Sequence, residues 1–267
     1  MVTLAVKIIT VWITIISSGC SPTQHLETMA HNYGYSPITL RGNGFTLTGY
    51  ENHSPQATTT TLHIYIEGDG LPWISPNVIS RDPTPRNPLM LRLMALDKSP
   101  SIYLGRPCYN GHANDIQCDI SLWTDRRYSD LVLQIMTSAL QYYLGSHHFR
   151  KLVFIGHSGG GALALLLAER FERTDLAVTI AGNLDTMEWT RIHGFTPLYG
   201  SINPATQRKM RPFKELHFLG AEDTTIPLSI FESIARKRLN SSVVIVRNAD
   251  HACCWESIWS TALASLP

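Results

Sequence analysis

Apolar positions along the chain switch period repeatedly, and the order of the switches predicts a fold. "GFTLTGYEN" (44–52) and "TTTLHIYIEG" (59–68) alternate and are rich in β-branched residues, so both are predicted strands. "NPLMLRLMAL" (87–96) has helical spacing, and "SIYLG" (101–105) is a short apolar run ended by a turn, a predicted buried strand. "DRRYSDLVLQIMTSALQYYLG" (125–145) repeats apolar residues at three and four, an amphipathic helix with Gly145 near its stop. Strand "KLVFI" (151–155), a helix from Gly159, strand "LAVTIAG" (176–182) and an irregular segment, 183–212, come next. "ELHFLG" (215–220), "PLSIFESIARKRLN" (227–240), "SVVIVRN" (242–248) and "CCWESIWSTALASL" (253–266) then read as strand, helix, strand and closing helix.

Strand and helix alternate, and the later strands are apolar on both faces. That pattern predicts an α/β domain with a mostly parallel central sheet covered by helices on both sides. The 30 residues of 183–212 are too few for a large lid, so any cap is minimal. The predicted organisation is an export signal at 1–19, a polar leader at 20–41 and one domain at 42–267.

Composition narrows the function. With 267 residues, 44% hydrophobic, and a formal net charge of +1, the chain can build one sizeable core and lacks the basic excess of a nucleic-acid binder. Lys7 is followed by the apolar run Ile8 to Ile16 and then "SSGC", the layout of an export signal. Cys20 after Ser17, Ser18 and Gly19 resembles a bacterial lipoprotein signal, which implies lipidation of Cys20 and membrane anchoring in the cell envelope. Ser17 departs from that pattern, where leucine is usual, and an ordinary cleaved signal is the competing reading. An oxidising compartment would allow a disulfide between Cys108 and Cys118, which flank a polar stretch with little apolar content of its own. The adjacent Cys253 and Cys254 are expected as two buried thiols.

Candidate chemistry centres on "GHSGG", where Ser158 lies between an apolar strand and an apolar helix. Glycines on either side permit a sharp turn that lifts the hydroxyl above the sheet edge, and the following helix N-terminus favours developing negative charge. A serine hydroxyl needs a base, and the base an orienting acid. At this point the sequence resembles the α/β-hydrolase superfamily, from about Thr61 to the end, with the order serine, acid, histidine after successive strands. The resemblance implies Asp223, in "AEDTTIP", as the acid and His251, in "ADHACCW", as the base. Asp185 and Glu222 remain alternatives for the acid. It also implies oxyanion donors at the amide of Gly159 and in "EGDG" (67–70), at Asp69 or Gly68, although Glu67 stands where relatives carry histidine. Asp250 is read as a turn residue, and His157 as packing or hydrogen bonding beneath the serine.

No HExxH or Cys/His quartet occurs, so no metal is implied, and this chemistry needs no cofactor. The segments "GDGLPW", "DPTPRNPLML", "YLGRPCY", "WTDRRYS" and "GSINPA" together resemble a group of exported bacterial α/β hydrolases. They are expected as pocket loops, with Trp73, Tyr103, Trp123 and Trp189 as candidate linings and simple packing as the competing role. The reading is an exported serine hydrolase acting on small-molecule or lipid carboxylic esters or thioesters. A peptidase on the same machinery and a catalytically silent surface binding protein are the rivals.

Overall fold

The structure is a computed structural model that describes residues 21–52, 60–235, 238 and 241–267. The expected export signal and Cys20 lie outside these residues. Helix α1 (Pro22–Asn32) is followed by strands β1 (Ser36–Gly42), β2 (Phe45–Asn52) and β3 (Thr61–Ile66). A small hairpin, β4 (Trp73–Ser75) and β5 (Val78–Ile79), precedes α2 (Leu89–Met94) and β6 (Ser101–Leu104). Then come α3 (Asp130–Gly145), β7 (Lys151–His157), α4 (Gly159–Ala168), β8 (Thr174–Ile180) and α5 (Thr186–His193). The chain ends with β9 (Lys214–Gly220), α6 (Leu228–Ala235), β10 (Ser241–Val246) and α7 (Glu256–Leu263).

Eight strands form one sheet in the order β1-β2-β6-β3-β7-β8-β9-β10. β1 pairs antiparallel with β2 and β2 antiparallel with β6, while the six strands from β6 onward run parallel. The period of two sorts side chains between two cores. Leu62, Ile64 and Ile66 of β3, with Leu152 and Phe154 of β7, join α3 and α4 on one face. Tyr65, Val153 and Ile155 point the other way, to α1, α2 and α7. Helix α4 is buried along its whole length, which suits a sequence with no polar face. The amphipathic α3 instead begins at Asp130, capped by Ser129, whose hydroxyl accepts from the Val132 amide; 125–129 stay outside it.

The polar leader expected at 20–41 is corrected from Ser21 onward. Ser21 and Gln24 form a reciprocal capping box that starts α1, and Leu26 and Ala30 bury its apolar edge. β1 then zips to β2 from Ser36–Glu51 to Gly42–Phe45. Alternation in "SPITLRG" is shallow because this is the sheet's edge, with only Leu40 and Gly42 buried.

Cys108 and Cys118 are joined, ten residues apart, closing the polar loop after β6. Replacing both with serine is expected to lower the unfolding free energy by about 3 kcal/mol, the chain-entropy value for so short a loop. Urea unfolding of the double variant beside wild type, without reductant, measures this; coincident curves would contradict it.

Candidate active site

Four loops that could carry chemistry leave the carboxyl ends of parallel strands, where open α/β sheets place their crevice. β7 delivers Ser158, which sits at φ +53 and ψ −121 between strand and helix. Such a conformation is strained for a non-glycine residue and persists only where packing over-determines it. The glycines supply that packing. A Cβ at Gly156 would lie 2.0 Å from the Gly160 carbonyl oxygen, and one at Gly160 would lie 2.2 Å from that of Ile66. Strand and helix therefore touch backbone to backbone, and the Ser158 carbonyl accepts from the amides of Gly161 and Asn183.

β9 and β10 bring in the other two predicted groups. His251 Nε2 lies 3.0 Å from Ser158 Oγ, and His251 Nδ1 lies 2.9 Å from Asp223 Oδ2. The other Asp223 oxygen accepts from the amides of Thr225 and Ile226, both at 2.8 Å, which fixes the carboxylate's rotation. The Asp223 side chain has no solvent exposure, whereas that of His251 is 23% exposed and so open to a small reactant. Asp185 caps α5 through the Glu188 amide and accepts from Asn203, and Glu222 faces solvent. Neither alternative acid meets His251.

The loop after β3 reaches the same rim. A Cβ on Gly68 would be 3.3 Å from Ser158 Cβ, so this loop is the serine's neighbour. Of the two donors proposed there, Gly68 is corrected: its N–H donates to Glu67 Oε1 at 3.2 Å and is not available to an oxyanion. The other Glu67 oxygen accepts from Met90 N–H in the first turn of α2. Burial pushes the Glu67 carboxyl up to about 7, against the lowering effect of those two amides. The amides of Asp69 and Gly159 donate to no protein acceptor among the described residues. Two spare N–H groups thus lie on the residue after Ser158 and on the loop packed against it.

Solved structures with this architecture are numerous. A hyperthermophilic esterase from Pyrobaculum calidifontis superposes with a TM-score of 0.62 at 11% identity, over 91% of this chain and 90% of that one. An esterase of Pyrococcus furiosus gives 0.61 at 10% identity, over 86% and 88%. A membrane phospholipase A, described as a bacterial virulence factor, gives 0.55 at 14%, over 92% of each. The chain has the α/β-hydrolase fold. No protein-family model matches the sequence, and no curated protein matches it.

In this α/β-hydrolase fold, residues 183–212 form a single short helix, α5, and a 3₁₀ turn over Pro204–Thr206. α5 is clasped to the Asp223 loop, since Trp189 Nε1 donates to the Thr225 carbonyl and His193 Nε2 lies 2.8 Å from it. Of the other candidate linings, Tyr103 and Trp123 are core residues, and Trp73 is exposed on the β4–β5 hairpin. Cys253 and Cys254 are not buried thiols. They are joined to each other, and Cys253 is exposed. Asp250 acts as a turn residue, accepting from the amides of Ala252 and Cys253; this draws the segment into a turn that leaves Cys253 exposed and Cys254 half-buried.

His157 has a more specific place than its position beneath the serine suggests. Its Nε2 donates to the His251 carbonyl at 2.7 Å, and its Nδ1 faces Gly68. It therefore ties the His251 loop to the elbow. Burial holds its imidazole down at about 3, with the neighbouring His251 ring a smaller cause and the carbonyl bond opposing both. The ordinary value is 6.5, so between pH 6.5 and 3 the unfolded chain binds a proton that the folded chain refuses. Stability from this group is complete above pH 6.5 and falls as the pH drops. Wild type is expected to lose about 1.4 kcal/mol per pH unit more than His157→Gln across that window. Urea unfolding at a series of pH values reads the difference, and parallel slopes would contradict it.

Proposed function

We propose that the chain is an exported serine hydrolase that cleaves carboxylic esters or thioesters of small molecules or lipids. The observation that carries the reading is the unbroken line of contacts from Ser158 Oγ through His251 to Asp223, at 3.0 and 2.9 Å. Ser158 Oγ attacks the acyl carbonyl as its proton passes to His251 Nε2. The carbonyl oxygen, now anionic, is met by the spare amides of Gly159 and Asp69. Collapse expels the alcohol or thiol, which takes the proton from Nε2 and leaves an acyl-serine. Water, losing a proton to His251, attacks that ester; the acid departs and Ser158 recovers its proton. Asp223 holds Nδ1 protonated throughout and stabilises the imidazolium. Esterases among proteins of the same fold support the substrate class, and an uncovered His251 suits an open cleft.

Ser158→Ala and His251→Ala are each expected to lower kcat on 4-nitrophenyl esters by roughly 10⁴ to 10⁶. A fluorophosphonate should label wild type and leave Ser158→Ala unmarked. Wild-type rates at the buffer background for every acyl length from acetate to decanoate would reject the assignment.

The envelope location is part of the proposal and rests on the lipoprotein-like pattern ending at Cys20. Bacteria expressing the full chain and fed a radiolabelled fatty acid are expected to incorporate label into wild type and none into Cys20→Ser. Equal labelling of the two would remove the anchor from the proposal.

A further inference from the structure

The loop that carries Asp69 is wedged between two arginines and two tyrosines from distant parts of the chain. Arg106 Nη1 donates to Asp69 Oδ1 at 2.7 Å and to the Gly68 carbonyl at 3.2 Å. Arg127 Nη1 donates to Asp69 Oδ2 at 2.9 Å, and the Tyr128 hydroxyl donates to the same oxygen at 2.6 Å. Tyr109 closes the set, its hydroxyl donating to the Asp69 carbonyl at 3.1 Å. Arg106 also lies 4.7 Å from the Tyr109 ring centre, and its Nη2 donates to the Arg127 carbonyl. All four side-chain donors belong to buried residues.

Every polar group of Gly68 and Asp69 is therefore taken by the protein except one, the Asp69 N–H. The cluster also abuts the elbow: a Cβ at Gly159 would lie 2.1 Å from Asp69 Oδ1 and 2.3 Å from the Tyr128 hydroxyl. A bare carboxylate at that distance would repel a nascent oxyanion. Two guanidiniums against one carboxylate reverse the sign, leaving a net single positive charge. Burial by itself would raise the Asp69 carboxyl; Arg127 and Arg106 outweigh it and hold the group well below the usual carboxylate range. Behind the loop, a Cβ at Gly70, at φ +64, would meet the Pro83 carbonyl oxygen, so "DPTP" braces the remaining side.

We infer that Arg106 and Arg127, with Tyr109 and Tyr128, are positioning residues for the oxyanion site: they neutralise and immobilise Asp69 so that its amide stands fixed beside Ser158. This rests on the ester-hydrolase reading above. It accounts for "YLGRPCY" and "WTDRRYS", which meet at Asp69 instead of lining a pocket. A donor fixed in advance is worth most where charge develops, so its loss falls on the transition state and not on ground-state binding.

The test compares Arg127→Lys, Asp69→Asn and the Tyr109→Phe/Tyr128→Phe double variant with wild type. Readouts are kcat and KM on 4-nitrophenyl butyrate, the inhibition constant of phenylboronic acid, whose serine adduct mimics the tetrahedral intermediate, and circular dichroism for folding. Expected is a loss of kcat of about 10² in Arg127→Lys and Asp69→Asn and about tenfold in the tyrosine double variant. KM should stay within about threefold, and boronate affinity should weaken by the same factor as kcat. A general loosening of the fold would move KM and kcat together and break the match between kcat and boronate affinity, and that pattern overturns the inference. Folded variants with kcat and boronate affinity within twofold of wild type overturn the inference. Should an ion-pair variant not fold, the tyrosine double variant decides, because it leaves both ion pairs intact. A wild type that neither turns over ester nor forms the adduct overturns the parent reading and this one with it; an active wild type matched by its variants overturns this one alone.

Discussion

Backbone contact without side chains between β7, β3 and the first turn of α4 is the constraint on which the site depends. Gly156 and Gly160 each press on a carbonyl oxygen at a distance no Cβ could share. That contact pulls the helix start hard against the strand ends, and the chain between them has room for one residue only in the left-handed region. Ser158 takes it at a cost of order 1–3 kcal/mol. The burial of β7, of β3 and of all of α4 offsets that cost. A residue with its backbone so held presents its side chain in one direction, toward the imidazole of His251.

Around that fixed point the protein sets two acidic side chains, adjacent but one in sequence, to opposite uses. Glu67 is buried with its oxygens on two backbone amides, and burial raises its carboxyl into the neutral range although Arg92 and Arg106 pull it down. Asp69 sits among guanidiniums and a hydroxyl and stays ionised. Environment alone separates them. One consumes the Gly68 amide and the other leaves its own amide free, so the two carboxylates together decide which N–H of this loop stays unpaired. His157 completes the frame by tying the His251 loop to the elbow through the His251 carbonyl. The catalytic reading and the positioning inference therefore draw on one rigid unit, built from the ends of β3, β7, β9 and β10.

Much of this was legible in order along the chain. The apolar strands β7, β8 and β9 announce themselves because both their faces are buried, and Ser158, Asp223 and His251 each follow a strand at a place the α/β-hydrolase resemblance names. Edge elements were less legible. α1 and β1 were read as a leader because each buries only a few residues, too few to imprint a period on a polar sequence. The hairpin β4–β5 was missed for a related reason, its side chains being exposed or half-buried. The disulfide between Cys253 and Cys254 runs against the sequence expectation because a bond between neighbouring cysteines is uncommon, and only the surface turn organised by Asp250 shows the pair joined.

By itself the sequence determined the alternation of strand and helix and the glycine-serine turn, because each is encoded by neighbours or by period; Asp223 and His251 came from the family resemblance, and only the tertiary structure brings them to Ser158. Which amide remains free beside Ser158 was decided by the tertiary structure alone. Arg127 stands 58 residues from Asp69, Arg106 stands 37, and Tyr109 stands 40. No local pattern links them, because a long-range ion pair is defined by where the sheet brings its loops. Only folding, by removing water from that meeting place, gives a carboxylate and two guanidiniums the strength to hold a loop still.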